Sequence, residues 1–133
     1  MKVDLLLQDG LVVWPGLGTK RGSVAVRDGK IVAVLEPRET VSARRTIACD
    51  GAWIMPGLID PHTHFGFGAG DEDFRTESRS AALGGITSFL SFHRSPDLEE
   101  STPRWIEAGE TRSCLDFGCH FGLTSLHHVN QLE

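Results

Sequence analysis

The period of apolar and polar positions changes once along this chain, near residue 57. Before that point, short alternating or continuous apolar runs bounded by turn formers predict strands at Val3 to Gln8, Leu11 to Trp14, Ser23 to Arg27, Ile31 to Leu35, Thr46 to Cys49 and Trp53 to Met55. Asp9-Gly10, Asp28-Gly29 and Asp50-Gly51 stand at three of the joints, and such pairs supply the positive φ that tight hairpin turns require. Residues 1–56 are therefore expected to form an all-β, meander-like segment. A sheet this small cannot cover both of its faces, so one side is expected to lie open.

From Gly57 onward, strands alternate with helical stretches. Pro56 to Phe65 reads as a short buried strand followed by a glycine-rich loop. Asp73 is placed to cap a helix whose stripe is Phe74, Ser78, Ala81 and Ala82, ended by Gly84-Gly85. Ile86 to Phe92 is the next strand, and a helix over 103–113 follows, with Pro103 in its first turn and Trp105, Ile106 and Gly109 on one face. Leu115 to Leu123 is a third strand, after which Ser125 caps a final helix. This order is the grammar of parallel strands joined by crossover helices, so the fold class is α/β, with domains at 1–56 and 57–133. Apolar groups on the inner strand faces, such as Phe89, Phe117 or Phe121, are expected to face solvent in this chain.

The strand ending at Phe65 carries His62 and His64. Strand side chains alternate, so the two imidazoles leave one face about 7 Å apart along the chain, near enough to reach one cation. Strict alternation puts Leu58, Asp60, His62 and His64 on that face and Ile59, Pro61 and Thr63 on the other. Pro61 lacks a ladder donor and suits a strand's end, and the C-terminal edge of a parallel sheet is where ligands collect. His62 and His64 are thus the candidate metal ligands. His93, just after the second strand, can touch a ligand but reads as a solvated loop residue. His120 reads as packed within the third strand, and His127 and His128 as surface positions.

Composition narrows the function classes. The 133 residues carry a net charge of −5 and no basic run, which argues against nucleic-acid or anionic-membrane partners. Three leucines after Met1-Lys2-Val3-Asp4 are too short for a signal core and nothing approaches a membrane span, so a cytoplasmic location is expected. Cys49, Cys114 and Cys119 lack Cys-x-x-Cys spacing and are expected to be buried thiols rather than a disulfide framework. Gly66-Phe67-Gly68-Ala69-Gly70 does not complete a phosphate-binding fingerprint, because Asp71 replaces the third glycine and an acidic run follows. No Gly-x-Ser-x-Gly element for a triad hydrolase occurs.

The segments from Val24 to Val34, Met55 to Phe65 and Ala81 to Thr87 together resemble the N-terminal part of the amidohydrolase superfamily, in its hydantoinase and dihydropyrimidinase branch. The resemblance implies that residues 1–56 are half of a β-sandwich and that His62 and His64 close the first strand of a (β/α)8 TIM-type barrel. It further implies a site for two divalent metals, usually zinc, whose bridging hydroxide opens a cyclic amide such as a hydantoin or dihydropyrimidine. His62 and His64 would hold the more buried ion. The remaining family ligands, including a carboxylated lysine, belong to later strands. Here Lys2, Lys20 and Lys30 all precede the barrel, and the 77 residues after Pro56 suffice for about three of its strands. The chain is accordingly expected to be a fragment, inactive alone and with no catalytic residue of its own, of an enzyme that is a homotetramer at full length.

Dihydroorotases and allantoinases are similar to the chain as well, but dihydroorotases carry His-x-His-x-Arg where Gly66 stands here. Ser91 occupies the place of an aspartate in many relatives. Phe65 and Phe67 lie in the loop that, in relatives, lines the pocket for the substrate's exocyclic group; the resemblance thus implies a pocket at Phe65 and Phe67, with His93 as a further candidate, and an apolar group is expected there. Non-catalytic hydantoinase-like scaffolds are the other class to weigh, and two inward imidazoles have no use in one.

Overall fold

The computed structural model describes residues 2–131. The chain divides into two compact units, Met1–Pro56 and Gly57–Glu133. In the first unit, β1 (Lys2–Trp14), β2 (Gly18–Arg27), β3 (Lys30–Leu35), β4 (Ser42–Ala48) and the short β5 (Trp53–Ile54) share one sheet in the order β3-β2-β1-β4, with β5 also on β1. The first three strands are antiparallel neighbours, whereas β4 and β5 run parallel to β1. The expected meander therefore covers three strands, and the fourth crosses back to the far side of β1.

Of the three Asp-Gly pairs, Asp28-Gly29 makes the expected hairpin. Its φ values of 51° and 71° close a two-residue turn between the paired Arg27 and Lys30. The other two pairs are bends that match each other across the sheet. β1 continues through Asp9, at φ 58°, with a register shift between Leu7 and Gly10. Asp50-Gly51 bends the partner segment alongside, where Gly51 N–H donates to the Asp9 carbonyl at 2.8 Å and Leu11 N–H to the Ala52 carbonyl at 2.9 Å. Positive φ permits a bulge as readily as a reversal, which is why composition alone assigned these two wrongly.

Val3, Leu6 and Ala25 form a buried cluster with Ala33, Leu35, Val41 and Ala43. The strand register sets Leu7, Val24 and Val26 on the face opposite the paired Leu6 and Ala25, where they line an open apolar hollow with Ile31, which is 69% exposed.

In the second unit, β6 (Leu58–Thr63), β7 (Ile86–His93) and β8 (Asp116–Phe121) form a parallel sheet in the order β6-β7-β8. Helices α1 (Asp73–Leu83) and α2 (Leu98–Arg112) make the crossovers, and α3 (Leu126–Asn130) follows β8. The core between sheet and helices is aromatic, with Phe65, Phe74, Phe89, Trp105 and Ala108 buried and Leu115, Phe117 and Cys119 packed on them. Phe65 and Phe89 lie 4.2 Å apart by ring centroid, and Phe74 meets Trp105 edge-on at 5.0 Å. Each such pair is worth about 0.5–1.5 kcal/mol beyond its burial. Gly109 allows the close approach of α2, since a Cβ there would overlap the Phe117 ring.

Several local expectations need correction. Helix α2 begins five residues before Pro103, at Leu98, because the Asp97 side chain accepts from Glu100 N–H and caps it there. Pro103 is thus interior. Within this helix Ile106 is exposed rather than facing the core. Phe89 and Phe117 point at the helices, not away from them: Phe89, Ser91 and His93 are the buried positions of β7, and Leu90 and Phe92 alternate to the open side. Alternation reveals which residues share a face, but not which face the helices cover. The cysteines are free, yet Cys114 is exposed and the other two are half-buried. Among the described residues, no helix is long and apolar enough to cross a membrane.

Candidate metal and substrate site

His62 and His64 lie at the C-terminal end of β6, with ring centroids 5.1 Å apart. Both pack on Phe92 of β7, at 4.7 and 5.5 Å, so the two imidazoles sit together on the side of the sheet away from the helices. They reach that side through an irregularity rather than through strict alternation. Three steps along β6, from Asp60 to Thr63, stand against two along β7, from Phe89 to Ser91. Asp60 pairs with the inward-facing Phe89, so it does not share the histidines' face as expected, and its Oδ1 instead accepts from His62 N–H at 3.0 Å. His120 of β8 joins the same side, 5.0 Å from the Phe92 ring.

The residue after His64 is anchored twice. The Phe65 ring is part of the aromatic core, and its N–H donates to the buried Ser91 Oγ at 2.8 Å. Phe65, expected as a loop side chain beside a substrate pocket, is instead a core residue, because the strand's end turns it inward. Ser91 supports the backbone next to the histidines. Beyond Phe65 the loop closes around Asp73, whose carboxylate accepts from Gly66, Gly68 and Ala69 N–H at 3.1, 2.9 and 2.9 Å. Asp73 does not cap α1. A 3-10 turn at Gly70–Glu72 leads into that helix, whose N-cap is Glu72 with no side-chain bond. Burial pushes the Asp73 carboxyl up, and the three N–H donors outweigh it and hold it below the ordinary range.

Phe67 projects from this clamped loop and stacks on the His64 ring at 5.3 Å. Phe67 is also part of the lining of a pocket of about 300 Å³ bounded by Gly66, Phe67, Asp71, His93, Arg94, Glu100, Ser101, Arg104 and Trp105. His93 is buried there, not solvated. Its Nε2 lies 2.8 Å from Ser101 Oγ, and Ser101 Oγ–H donates to the Asp97 carbonyl at 2.6 Å. Ser101 has one proton to give, so His93 is the donor of that bond and keeps its lone pair on Nδ1. Burial lowers the His93 pKa. His128 is likewise buried rather than at the surface, accepting from Thr124 N–H at 3.1 Å through Nδ1 and bonding the Pro96 carbonyl through Nε2. His127 is exposed.

Two adjacent exposed imidazoles fit a divalent cation as two of the ligands of a tetrahedral ion. Among the described residues, no group of three or more His, Cys, Asp or Glu side chains could hold one.

No family model matches the chain. It is 38% identical over 80% of its length to a dihydroorotase of Methanothermobacter thermautotrophicus, covering 26% of that protein. It is 32% identical over its whole length to an allantoinase of Deinococcus radiodurans, covering 30% of it. Among solved structures, the L-hydantoinase (dihydropyrimidinase) of Arthrobacter aurescens superposes with a TM-score of 0.84 at 25% identity, over 98% of this chain and 30% of that one. The chain is similar to the N-terminal part of amidohydrolase-superfamily enzymes over most of its length. It spans under a third of the length of these relatives. Within this chain, sequence reasoning missed Asp73 as the loop's anchor and Trp105 as a pocket wall. An aspartate that follows a run of glycines, whose bare N–H groups need an acceptor, was the available signal for the first.

Proposed function

We propose that this chain contributes the first metal ligands of a hydrolase that opens a cyclic amide of the hydantoin or dihydropyrimidine type. The observation that carries the reading is the placement of His62 and His64 side by side at the sheet's C-terminal end. The expected (β/α)8 barrel accords with it, because β6, β7 and β8 are parallel and joined by helices on one side. The paired site would take divalent ions, zinc by the chemistry of imidazole donors, and a bound ion supplies Lewis acidity toward a carbonyl and a stronger nucleophile from water. This chain's own residues hold the imidazoles: Phe92 packs against both, Ser91 fixes the adjoining backbone, and Phe67 covers His64.

A ring lacking a carboxylate is favoured over dihydroorotate by Gly66. Its φ of 93° is strained for any side chain, so the arginine found there in dihydroorotases has no comfortable place. The remaining ligands, a sandwich partner for the first sheet and a homotetrameric, cytoplasmic whole enzyme complete the proposal.

Co²⁺ titration followed by visible absorption tests it. The chain should bind Co²⁺ weakly, and His62→Ala or His64→Ala should abolish that binding. Hydrolysis of hydantoin or dihydrouracil by this chain alone should be undetectable. Co²⁺ binding unchanged in both variants would remove the metal reading, and turnover by the 133-residue chain would remove the need for further ligands.

A further inference from the structure

The pocket behind Phe67 has a chemistry of its own. Trp105 is 7% exposed, and its Nε1 is the one buried side-chain polar atom among the described residues without a hydrogen-bond partner. A buried donor left unpaired is costly, so an unpaired one beside a cavity points to an acceptor that arrives from outside. The approach to it lies past Gly66. A Cβ at Gly66 would stand 3.5 Å from Nε1, so the missing side chain keeps that space free.

The other walls decide what kind of acceptor can enter. Arg94 and Arg104 bring two positive charges, and Asp71 and Glu100 bring two negative ones. Among the described residues none of these four forms an ion pair, although Arg94 also lies 6.0 Å from the centre of the Phe67 ring. The lining is therefore neutral in sum and rich in both donors and acceptors. A carboxylate would meet the guanidinium groups but also Asp71 and Glu100. An apolar group would leave the indole N–H unpaired. An uncharged amide or urea group satisfies both sets, its carbonyl oxygen taking the indole or guanidinium N–H and its own N–H groups facing the carboxylates.

We propose that this pocket binds an uncharged amide or urea group, and that it is the subsite for such a group borne by the substrate of the neighbouring site. The second half rests on the cyclic-amide reading above, through Phe67, which is at once the wall of the pocket and the ring stacked on His64. An apolar exocyclic group, which the sequence suggested, does not suit this lining.

The test follows Trp105 fluorescence in the chain carrying Trp14→Phe and Trp53→Phe, at sub-micromolar concentration, titrated with propionamide, propionate and 2-butanone. None of these probes has a ring to hydrolyse, so the outcome is independent of metal and turnover. Propionamide should produce a saturable emission change with at least fivefold higher affinity than either competitor. Glu100→Gln, at an exposed position, should shift the preference toward propionate by about fivefold. Equal responses to the three probes, no saturable response to propionamide, or an order unmoved by Glu100→Gln would overturn the subsite. Loss of Co²⁺ binding at His62 and His64 with the propionamide response intact would instead leave the pocket standing and remove its link to a metal-dependent reaction.

Discussion

Ser91 Oγ accepts the Phe65 backbone N–H at 2.8 Å, and both residues are buried. This bond ties the end of β6 to β7 one residue beyond His64. Ser91→Ala leaves the Phe65 N–H without an acceptor, which costs about 1–3 kcal/mol. Denaturant unfolding should show that loss. Co²⁺ affinity should fall as well, because the His64 backbone is no longer fixed. An unchanged affinity in a variant that is measurably less stable would separate the bond from the site.

Asp73 makes the loop over the site sensitive to acid. Burial pushes its carboxyl up and the N–H groups of Ala69, Gly68 and Gly66 pull it further down, so its folded pKa lies below its unfolded one. Its contribution is therefore present above the unfolded pKa and lost as the pH falls through the folded value. Wild-type stability should decline below about pH 4, and Asp73→Asn should flatten that part of the profile. The asparagine keeps one acceptor and turns an amide toward N–H donors, so at neutral pH the loop should become a preferred site of limited proteolysis.

His93 gives a second pH window, at higher pH. Burial lowers its pKa, so the unfolded chain takes up the proton more readily than the folded one. Stability should thus be complete above the unfolded imidazole pKa, near 6.5, and decline as the pH falls through the folded value. His93→Gln should remove the slope between about pH 5 and 7. Chemical denaturation at intervals across that range measures it, and an unaltered slope would assign the effect to another histidine.

The three strands of the second unit and their parallel order were legible because apolar runs and turn residues report them directly, whereas in the first unit the sequence split β1 at Asp9-Gly10 and did not reveal that β4 and β5 run parallel to it. His62 and His64 were legible as a pair for the same reason, since spacing two implies one face. Asp60 was assigned to that face wrongly, because the bulge between Asp60 and Thr63 depends on register with β7 and leaves no mark in the local sequence. Phe65 and His93 show a second limit. Each follows a strand and looks like a loop residue, yet the aromatic core claims one and Ser101 the other. The start of α2 was missed because Pro103 looked like a first-turn residue, while Asp97 offered an equally good cap with no apolar stripe next to it.

The last prediction concerns the sheet's borders. Among the described residues β6 and β8 pair with β7 alone, so each has a row of unmatched backbone donors and acceptors along its outer side. β6 adds Ile59, 66% exposed, and Leu58 beside it, and past the end of β8 Leu123 is exposed too. Unpaired edges bearing large apolar side chains recruit further strands, and the open hollow under Ile31 in the first unit adds another adhesive surface. The chain should therefore associate at micromolar concentration and lose structure over a broad thermal range instead of in one cooperative step. Ile59→Lys sets a charge on the β6 edge, where pairing would have to bury it, and should lower the sedimentation-derived average mass without changing the far-ultraviolet spectrum. A monodisperse wild-type monomer with a sharp calorimetric transition would show that these edges are already protected in solution.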